Sequence, residues 1–134
     1  MFEELLGEAC GRSGWIVHSY VLMPNHYHWL LETPEANLSE GMRWFQGTYA
    51  RRYCARHRLV GHVFQGRFKS LLIDPEDPDQ SQVVSDYIHL NPVRARLLPR
   101  RGESMRLRDY RWSSYPWFMK PPSKRPGWLE FSRV

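Results

Sequence analysis

The chain has 134 residues and a formal net charge of +5 at pH 7, with 42% hydrophobic and 25% charged residues. These values are typical of one folded domain and exclude wholesale disorder. No apolar run approaches the ~18 residues that cross a bilayer, and the acidic start MFEELLGEAC is unlike a signal peptide. Two cysteines make neither a disulfide framework nor a CxxC zinc site. Membrane proteins, secreted mini-proteins and zinc fingers are thereby excluded, and the expected compartment is the cytoplasm.

The first elements are a short helix and a β-hairpin. Apolar residues at helical spacing predict an amphipathic helix over residues 2–10. Aromatic and β-branched residues predict a strand over 15–22, and a Pro-Asn turn at 24–25 leads into a second strand over 26–32. The two strands are expected to pair in antiparallel fashion.

A longer helix and a third strand are predicted next. Residues 38–58 have helical periodicity, with Asn37 or Ser39 as the cap. Residues 62–73 are interpreted as a strand in which Gly66 marks a bulge. The run DPEDPDQ that follows is interpreted as a polar loop.

The last helical region contains a proline. Residues 80–98 have a helical pattern, but Asn91-Pro92 interrupts it, so we expect one helix to end near Leu90. A second short helix would start with Asn91 as its cap and Pro92 in the first helical position. Residues 1–117 would form the domain, and residues 118–134, with three prolines, a loosely ordered basic tail.

The element order is therefore helix, strand, strand, helix, strand, helix. This order predicts an α+β sandwich with helices on one face of a mainly antiparallel sheet.

Charge is distributed unevenly along the chain. Residues 1–40 hold six acids and one base, whereas residues 41–134 hold eight acids and eighteen bases. No acid occurs from Gly41 to Ile73, where six aromatic residues share the stretch with seven bases: Arg43, Arg51, Arg52, Arg56, Arg58, Arg67 and Lys69. Such a stretch attracts phosphate backbones and offers rings on which unpaired bases stack, although a solvated helix face is the alternative. Trp44 is either a stacking platform or a core residue.

Two histidines and a tyrosine are candidates for chemistry. His26 and His28 lie two apart in a predicted strand, so their imidazoles point to the same face and can converge on one metal ion. The alternative is a pair of exposed or core-edge histidines. Tyr87 and Asn91 lie one helical turn apart, which would let Asn91 complete a His/His/Asn metal site beside a tyrosine nucleophile. Their alternatives are a core aromatic and a helix cap.

Four segments together resemble a known family. MPNHYHWLLE, GHVFQGRFKSLLID, YIHLNPVRARL and RWSSY occur in this order, as they do in the single-tyrosine HUH (IS200-like) transposases. Within that group the chain is most similar to the REP-associated tyrosine transposases of bacteria. The resemblance runs from about residue 5 to residue 115, which is most of the chain.

The resemblance implies a ferredoxin-like α+β core and a metal-dependent DNA transposase. His26 and His28 would bind a divalent ion, magnesium or manganese, with Asn91 as a further ligand and Tyr87 as the nucleophile. Hairpin-bearing single-stranded DNA would be cleaved through a 5′-phosphotyrosine link, with strand transfer as the reverse attack. The acid-free stretch, together with Arg94 and Arg96, would contact the DNA backbone. A homodimer is compatible with this function, as is association with the nucleoid.

The chain also departs from the family. Relatives begin with a strand of the kind YHVTSRGN, and this chain opens at the helix, so the sheet is expected to lack that strand. Such a loss would leave two inner edges unpaired. The start site could be misassigned, the reading frame could be a remnant, or the remaining strands could close up. A non-catalytic hairpin DNA- or RNA-binding module and an inactive transposase remnant are therefore the alternative functions.

Overall fold

The computed structural model describes residues 1–74, 77–98 and 106–131. Its helices and strands are α1 (Phe2–Ser13), β1 (Ile16–Leu22), β2 (Tyr27–Glu32), α2 (Leu38–His57), α3 (Pro78–Arg94) and α4 (Tyr115–Phe118). Short 3₁₀ turns occur at Leu107–Asp109 and Pro122–Lys124. The predicted α+β class is confirmed, because β1 and β2 form an antiparallel sheet accompanied by helices. The predictions of the hairpin and of the helices that became α1 and α2 are also confirmed, within a few residues at each end.

The described chain divides into two compact units. The first unit comprises Met1–Trp15 and Thr33–Leu72, and it holds α1 and α2. The second unit comprises Ile16–Glu32 and the described residues from Ile73 onward, and it holds the sheet, α3 and α4.

Aromatic contacts join the two helices of the first unit. Phe2 at the start of α1 meets the ring of Phe45 edge-on at 5.3 Å and that of Tyr49 at 5.6 Å, both from α2. Such edge-to-face pairs add about 0.5–1.5 kcal/mol each beyond the apolar area they bury. The helical spacing of Phe45 and Tyr49 therefore serves to present both rings to α1.

A tryptophan at the end of α1 fixes where α2 begins. Trp15 is buried, and its indole Nε1 donates a hydrogen bond of 2.9 Å to Oδ1 of Asn37, the cap residue of α2. The side-chain nitrogen Nδ2 of Asn37 donates in turn to the backbone carbonyl of Ser13 at 2.8 Å. Gly41 lies under the indole so closely that any Cβ at this position would collide with the ring. Asn37 thus bridges the two helix ends instead of capping α2 with its side chain.

The second unit is built on β1. On one side β1 pairs with β2 from Ile16↔Glu32 to Leu22↔Tyr27, with a bulge at the buried residue His18. Its other edge receives residues from near the C-terminus. The amide of Leu22 donates to the carbonyl of Trp112 at 2.7 Å. Two further bonds, Ser114 N–H to Tyr20 O at 2.9 Å and Glu130 N–H to Val17 O at 2.8 Å, continue along this edge.

An apolar cluster holds α3 against the sheet. Val21, Leu30 and Ile88 are buried together with Tyr110, whose hydroxyl donates to the carbonyl of Leu22 at 2.8 Å. At about 25 cal/mol per Å² of buried apolar surface, each of these side chains contributes roughly 1.5–3 kcal/mol. The cluster therefore fixes which face of α3 is turned away from solvent.

The prediction of a third strand over residues 62–73 is wrong. Residues 67–73 have no regular secondary structure, Gly66 adopts a left-handed conformation with φ of +72°, and Leu71 and Leu72 are almost fully exposed. A strand exists only where a neighbouring strand satisfies its backbone groups. No neighbouring strand pairs with this segment among the described residues, so its β-type composition does not produce a strand.

The prediction of a break near Leu90 is also wrong, because α3 continues through Pro92 to Arg94. Asp77 caps the helix by accepting from the backbone amides of residues 79 and 80. Pro92 lies only two residues from the C-terminal end of α3 and is fully buried, so packing offsets the one backbone hydrogen bond that it cannot make. Of the predicted loop before α3, Pro75 and Glu76 lie outside the described residues.

The predicted loose order of residues 118–134 is wrong for residues 118–131. Leu129 is buried and forms a parallel bridge with Val17 of β1. The Trp128 ring lies 5.9 Å from that of the buried Tyr20. Residues 132–134 lie outside the described residues, and the domain boundary at residue 117 stays a prediction.

Candidate active site

The two histidines of the HxH pair lie together at the start of β2. His26 immediately precedes the strand and His28 is its second residue. Their ring centroids are 5.0 Å apart and the rings are perpendicular. The structure therefore brings together the two imidazoles that the sequence placed on one strand face.

The two imidazoles differ in the contacts that favour their metal-binding form. Nδ1 of His26 is hydrogen-bonded at 2.6 Å to Oδ1 of Asn25, so the proton resides on Nδ1 and the Nε2 lone pair is available to a metal ion. His28 is half-buried, and burial together with the nearby His26 lowers its pKa. A lowered pKa keeps His28 neutral at physiological pH, which is the state that binds metals.

The candidate nucleophile faces these histidines from α3. The Tyr87 ring lies 5.9 Å from that of His28 in an edge-to-face arrangement. The guanidinium carbon of Arg94, two turns further along the helix, lies 5.0 Å from the Tyr87 ring centroid. Tyr87 is 47% exposed, so solvent and a large substrate have access to it. The arrangement joins a phenol, an imidazole pair and a cation at one exposed surface.

Asn91 is placed one turn after Tyr87, but its side chain bonds to its own helix. Its amide nitrogen donates to the carbonyl of Tyr87 at 2.8 Å. Because the bond uses the nitrogen, the carbonyl oxygen Oδ1 remains the atom suited to a cation. The role of Asn91 as a metal ligand stays a prediction.

The donor set fits a divalent ion only with help from outside the protein. Among the described residues no group of three or more His, Cys, Asp or Glu side chains is placed to hold a metal. His26 and His28 would supply two nitrogen donors and Asn91 one oxygen, which would leave positions for water and phosphate oxygens. Imidazole nitrogens suit zinc, copper or iron better than magnesium or manganese, so oxygen atoms of substrate phosphate and water would complete the ligand set for either of the latter two ions.

Most of the predicted DNA-contacting residues lie in the first unit. Those with exposed side chains there are Arg43, Arg51, Arg52, Arg56, Arg58, Arg67 and Lys69. Arg52 is paired with Glu8 through two bonds of 2.7 and 2.9 Å, and Arg51 donates to Thr48 at 3.0 Å. Trp44 is half-buried beneath the guanidinium of Arg12, at 5.4 Å.

The second unit adds Arg94 and Arg96, both exposed, with Arg96 in a left-handed conformation just after α3. The sequence predicts all nine basic residues as DNA contacts. All nine side chains are exposed and therefore accessible to a DNA backbone, and their role as DNA contacts stays a prediction.

Sequence reasoning missed the residues on the buried side of α3 that support the candidate site. His89 is buried, and its Nε2 is hydrogen-bonded at 2.7 Å to Oγ of Ser114. Burial lowers the pKa of His89 to about 4, against a smaller opposing effect of Asp86. The RWSSY segment was visible as a motif, but only its pairing with β1 reveals what Ser114 contacts. Asn25, next to His26, also had no assigned role.

Comparison with known proteins places the chain in a class of DNA-processing proteins. A family described as "Transposase IS200 like" matches residues 1–91, which include both histidines, Tyr87 and Asn91. The chain therefore belongs to the IS200-like transposase family, and it is a transposase that acts on DNA. No curated protein and no solved structure matches the chain. None of the described helices is long and apolar enough to cross a membrane.

Proposed function

We propose that the protein is a metal-dependent nickase and strand transferase for single-stranded DNA, of the REP-associated tyrosine transposase type. The observation that carries the proposal is the contact between Tyr87 and His28, with His26 beside it, on one exposed surface. A phenol next to a metal-binding imidazole pair is what covalent phosphodiester cleavage requires.

In this reaction the phenolic oxygen of Tyr87 attacks a backbone phosphorus. An O–P bond to Tyr87 forms and the bond from phosphorus to the 3′-oxygen breaks. The phenolic proton passes through water to the departing 3′-oxygen, which is released as a hydroxyl. A 3′-hydroxyl attacking the phosphotyrosine reverses the step and joins strands. The two reactions need no nucleotide cofactor, because the phosphotyrosine conserves the energy of the bond.

The chain's own residues prepare this step. Asn25 holds His26 in one tautomer, and burial keeps His28 neutral, so both rings can hold manganese or magnesium. A bound divalent ion would polarise the phosphate and stabilise the charge that develops on it. Arg94 lies against the Tyr87 ring, where its guanidinium can bind the phosphate that the phenol attacks.

The substrate is proposed to be a hairpin-bearing strand of the host chromosome, which places the protein at the nucleoid in the cytoplasm. The exposed arginines between residues 43 and 67 would contact the hairpin backbone. A divalent ion, magnesium or manganese, is the proposed cofactor.

The test is a search for the covalent intermediate. The purified chain is incubated with manganese and pooled hairpin oligonucleotides, and peptides are analysed by mass spectrometry. We expect a nucleotide adduct on Tyr87 that disappears with EDTA and in Tyr87→Phe. Tyr115→Phe, which alters a half-buried tyrosine in the same unit, is the matched control and should retain the adduct.

The alternative is a binding module that no longer cleaves. The acid-free, arginine-rich stretch in the first unit favours it, since this stretch needs no chemistry in order to bind DNA. Hairpin binding by folded protein without any adduct, and unchanged by Tyr87→Phe, would support the module and contradict the enzyme.

A further inference from the structure

One face of α2 carries a row of rings spaced four residues apart. Phe45 and Tyr49 are stacked with centroids 6.4 Å apart, and Tyr49 and Tyr53 are stacked at 5.7 Å with an interplanar angle of 19°. Tyr53 and His57 follow at 4.4 Å with an angle of 38°. We call these four side chains the ring ladder.

The two ends of the ring ladder differ in how they are covered. At the inner end Phe45 is fully buried, and Tyr49 is contacted by Phe2 and by Phe64. Along the row the side chains become more exposed, and the ring of His57 in the last turn of α2 is exposed. Stacking within the helix accounts for the spacing of the rings. It does not account for an exposed ring at the outer end.

The sequence around the outer end carries exposed arginines, one of which, Arg56, also interacts electrostatically with Glu4 of α1. Arg56 and Arg58 are next to His57 in sequence and are exposed, and no acid occurs between Gly41 and Ile73. Arg52, one turn earlier, is paired with Glu8, which reduces its share of the local charge. An exposed flat ring whose sequence neighbours are two exposed arginines offers groups for the two parts of a nucleotide, a base and a phosphate.

We propose that the outer end of the ring ladder, Tyr53 and His57, is a stacking site for an unpaired DNA base, with Arg56 and Arg58 binding the adjacent phosphates. The site would bind a base from the loop or a single-stranded flank of the hairpin. A fully paired duplex keeps its bases stacked within the helix and cannot use it. The inference rests on DNA as the substrate, but it is independent of Tyr87 and the histidine pair.

The test separates stacking from charge. Affinity is measured by fluorescence anisotropy, over a series of salt concentrations, for a hairpin with an unpaired loop and for a duplex without one. His57→Ala should weaken hairpin binding about tenfold, leave duplex binding unchanged and leave the salt dependence unchanged. Arg56→Ala, the neighbouring control, should weaken both and reduce the slope of log affinity against log salt by about 1.

Two further measurements complete the design. His57→Trp provides a larger ring and should restore hairpin binding, and a fluorescent base analogue in the loop should be quenched by the native chain but not by His57→Ala. Thermal unfolding checks that the exposed substitution leaves the fold intact. Equal loss of hairpin and duplex binding in His57→Ala, or a changed salt slope, would overturn the stacking site. Absence of all DNA binding by folded protein would instead overturn the proposed function.

Discussion

One face of α3 is buried and packs against the sheet, and the other is exposed and carries the candidate nucleophile, although residues of both faces are neighbours in the sequence. Tyr87 is 47% exposed, whereas the next two residues, Ile88 and His89, are 2% and 5% exposed. The buried face is held by the sheet and by Ser114, and the exposed face contacts His28 and Arg94. The comparison shows that a rigid support and a reactive surface can be built from neighbouring residues of one helix.

The same contrast separates two histidines of the second unit. His89 is hydrogen-bonded to a serine inside the protein, and its pKa of about 4 keeps it neutral. His28 is half-buried, next to another imidazole and an exposed phenol. Burial lowers the pKa of both, so the pKa direction alone does not distinguish them. Their neighbours and their access to substrate do.

The largest expected effect concerns the exposed surface. His28→Ala or His26→Ala should reduce divalent-dependent cleavage about a thousandfold, because the remaining ligands would no longer hold the ion that stabilises the phosphate charge. The free energy of unfolding should change little for the exposed His26. Single-turnover cleavage assays with manganese measure the loss, and hairpin affinity serves as the control. Normal cleavage by either variant would contradict the metal site.

The next effect concerns the buried face and acid. Because burial lowers the pKa of His89 from 6.5 to about 4, the unfolded chain binds the proton more tightly than the folded chain. The free energy of unfolding should therefore fall as pH decreases from about 6.5 to about 4, by up to ~3 kcal/mol from this group. Urea unfolding across this range measures it. His89→Gln should flatten the dependence and the exposed His62→Gln should not, so equal curves for all three proteins would refute the assignment.

A smaller effect is expected at the partner of His89. Ser114→Ala removes the hydroxyl that is hydrogen-bonded both to the His89 ring and to the backbone amide of Tyr20. Both of these buried groups would then lack this hydrogen-bond partner. Such losses cost about 1–3 kcal/mol. Chemical denaturation measures the change, and Ser123→Ala, at an exposed site, is the control. A loss no greater than that of the control would show that this hydrogen bond does not secure α3.

The smallest effect is expected at the edge of the reactive surface. Arg94→Ala removes one cation beside Tyr87 and should reduce the slope of log DNA affinity against log salt by about 1. Anisotropy titrations measure the slope, and Arg108→Ala, exposed elsewhere in the unit, is the comparison. An unchanged slope would remove Arg94 from the phosphate contacts.

Local patterns predicted the part of the site that depends on local geometry. The two-residue spacing of His26 and His28 and the four-residue spacing of Tyr87 and Asn91 each describe one element. Partnerships between distant segments were not predictable in this way. The predicted third strand over 62–73 has no ladder partner in the described chain, and Ser114 contacts β1 across 94 residues of sequence. The sequence predicts a helix break at Pro92, whereas the burial that offsets its lost hydrogen bond is a tertiary property that local sequence does not show.

The hydrogen bonds along the second edge of β1 show that the end of the family match and the end of the packed unit are different places in the chain. The family match ends at residue 91 and contains every proposed catalytic and metal-binding residue. Tyr110, Ser114 and Leu129, which cover that edge or anchor α3, all lie beyond it. A fragment cut at the end of the match would keep the reactive groups but present an open strand edge to its neighbours. In this chain the residues proposed for catalysis therefore end well before the residues that complete the edge of the sheet.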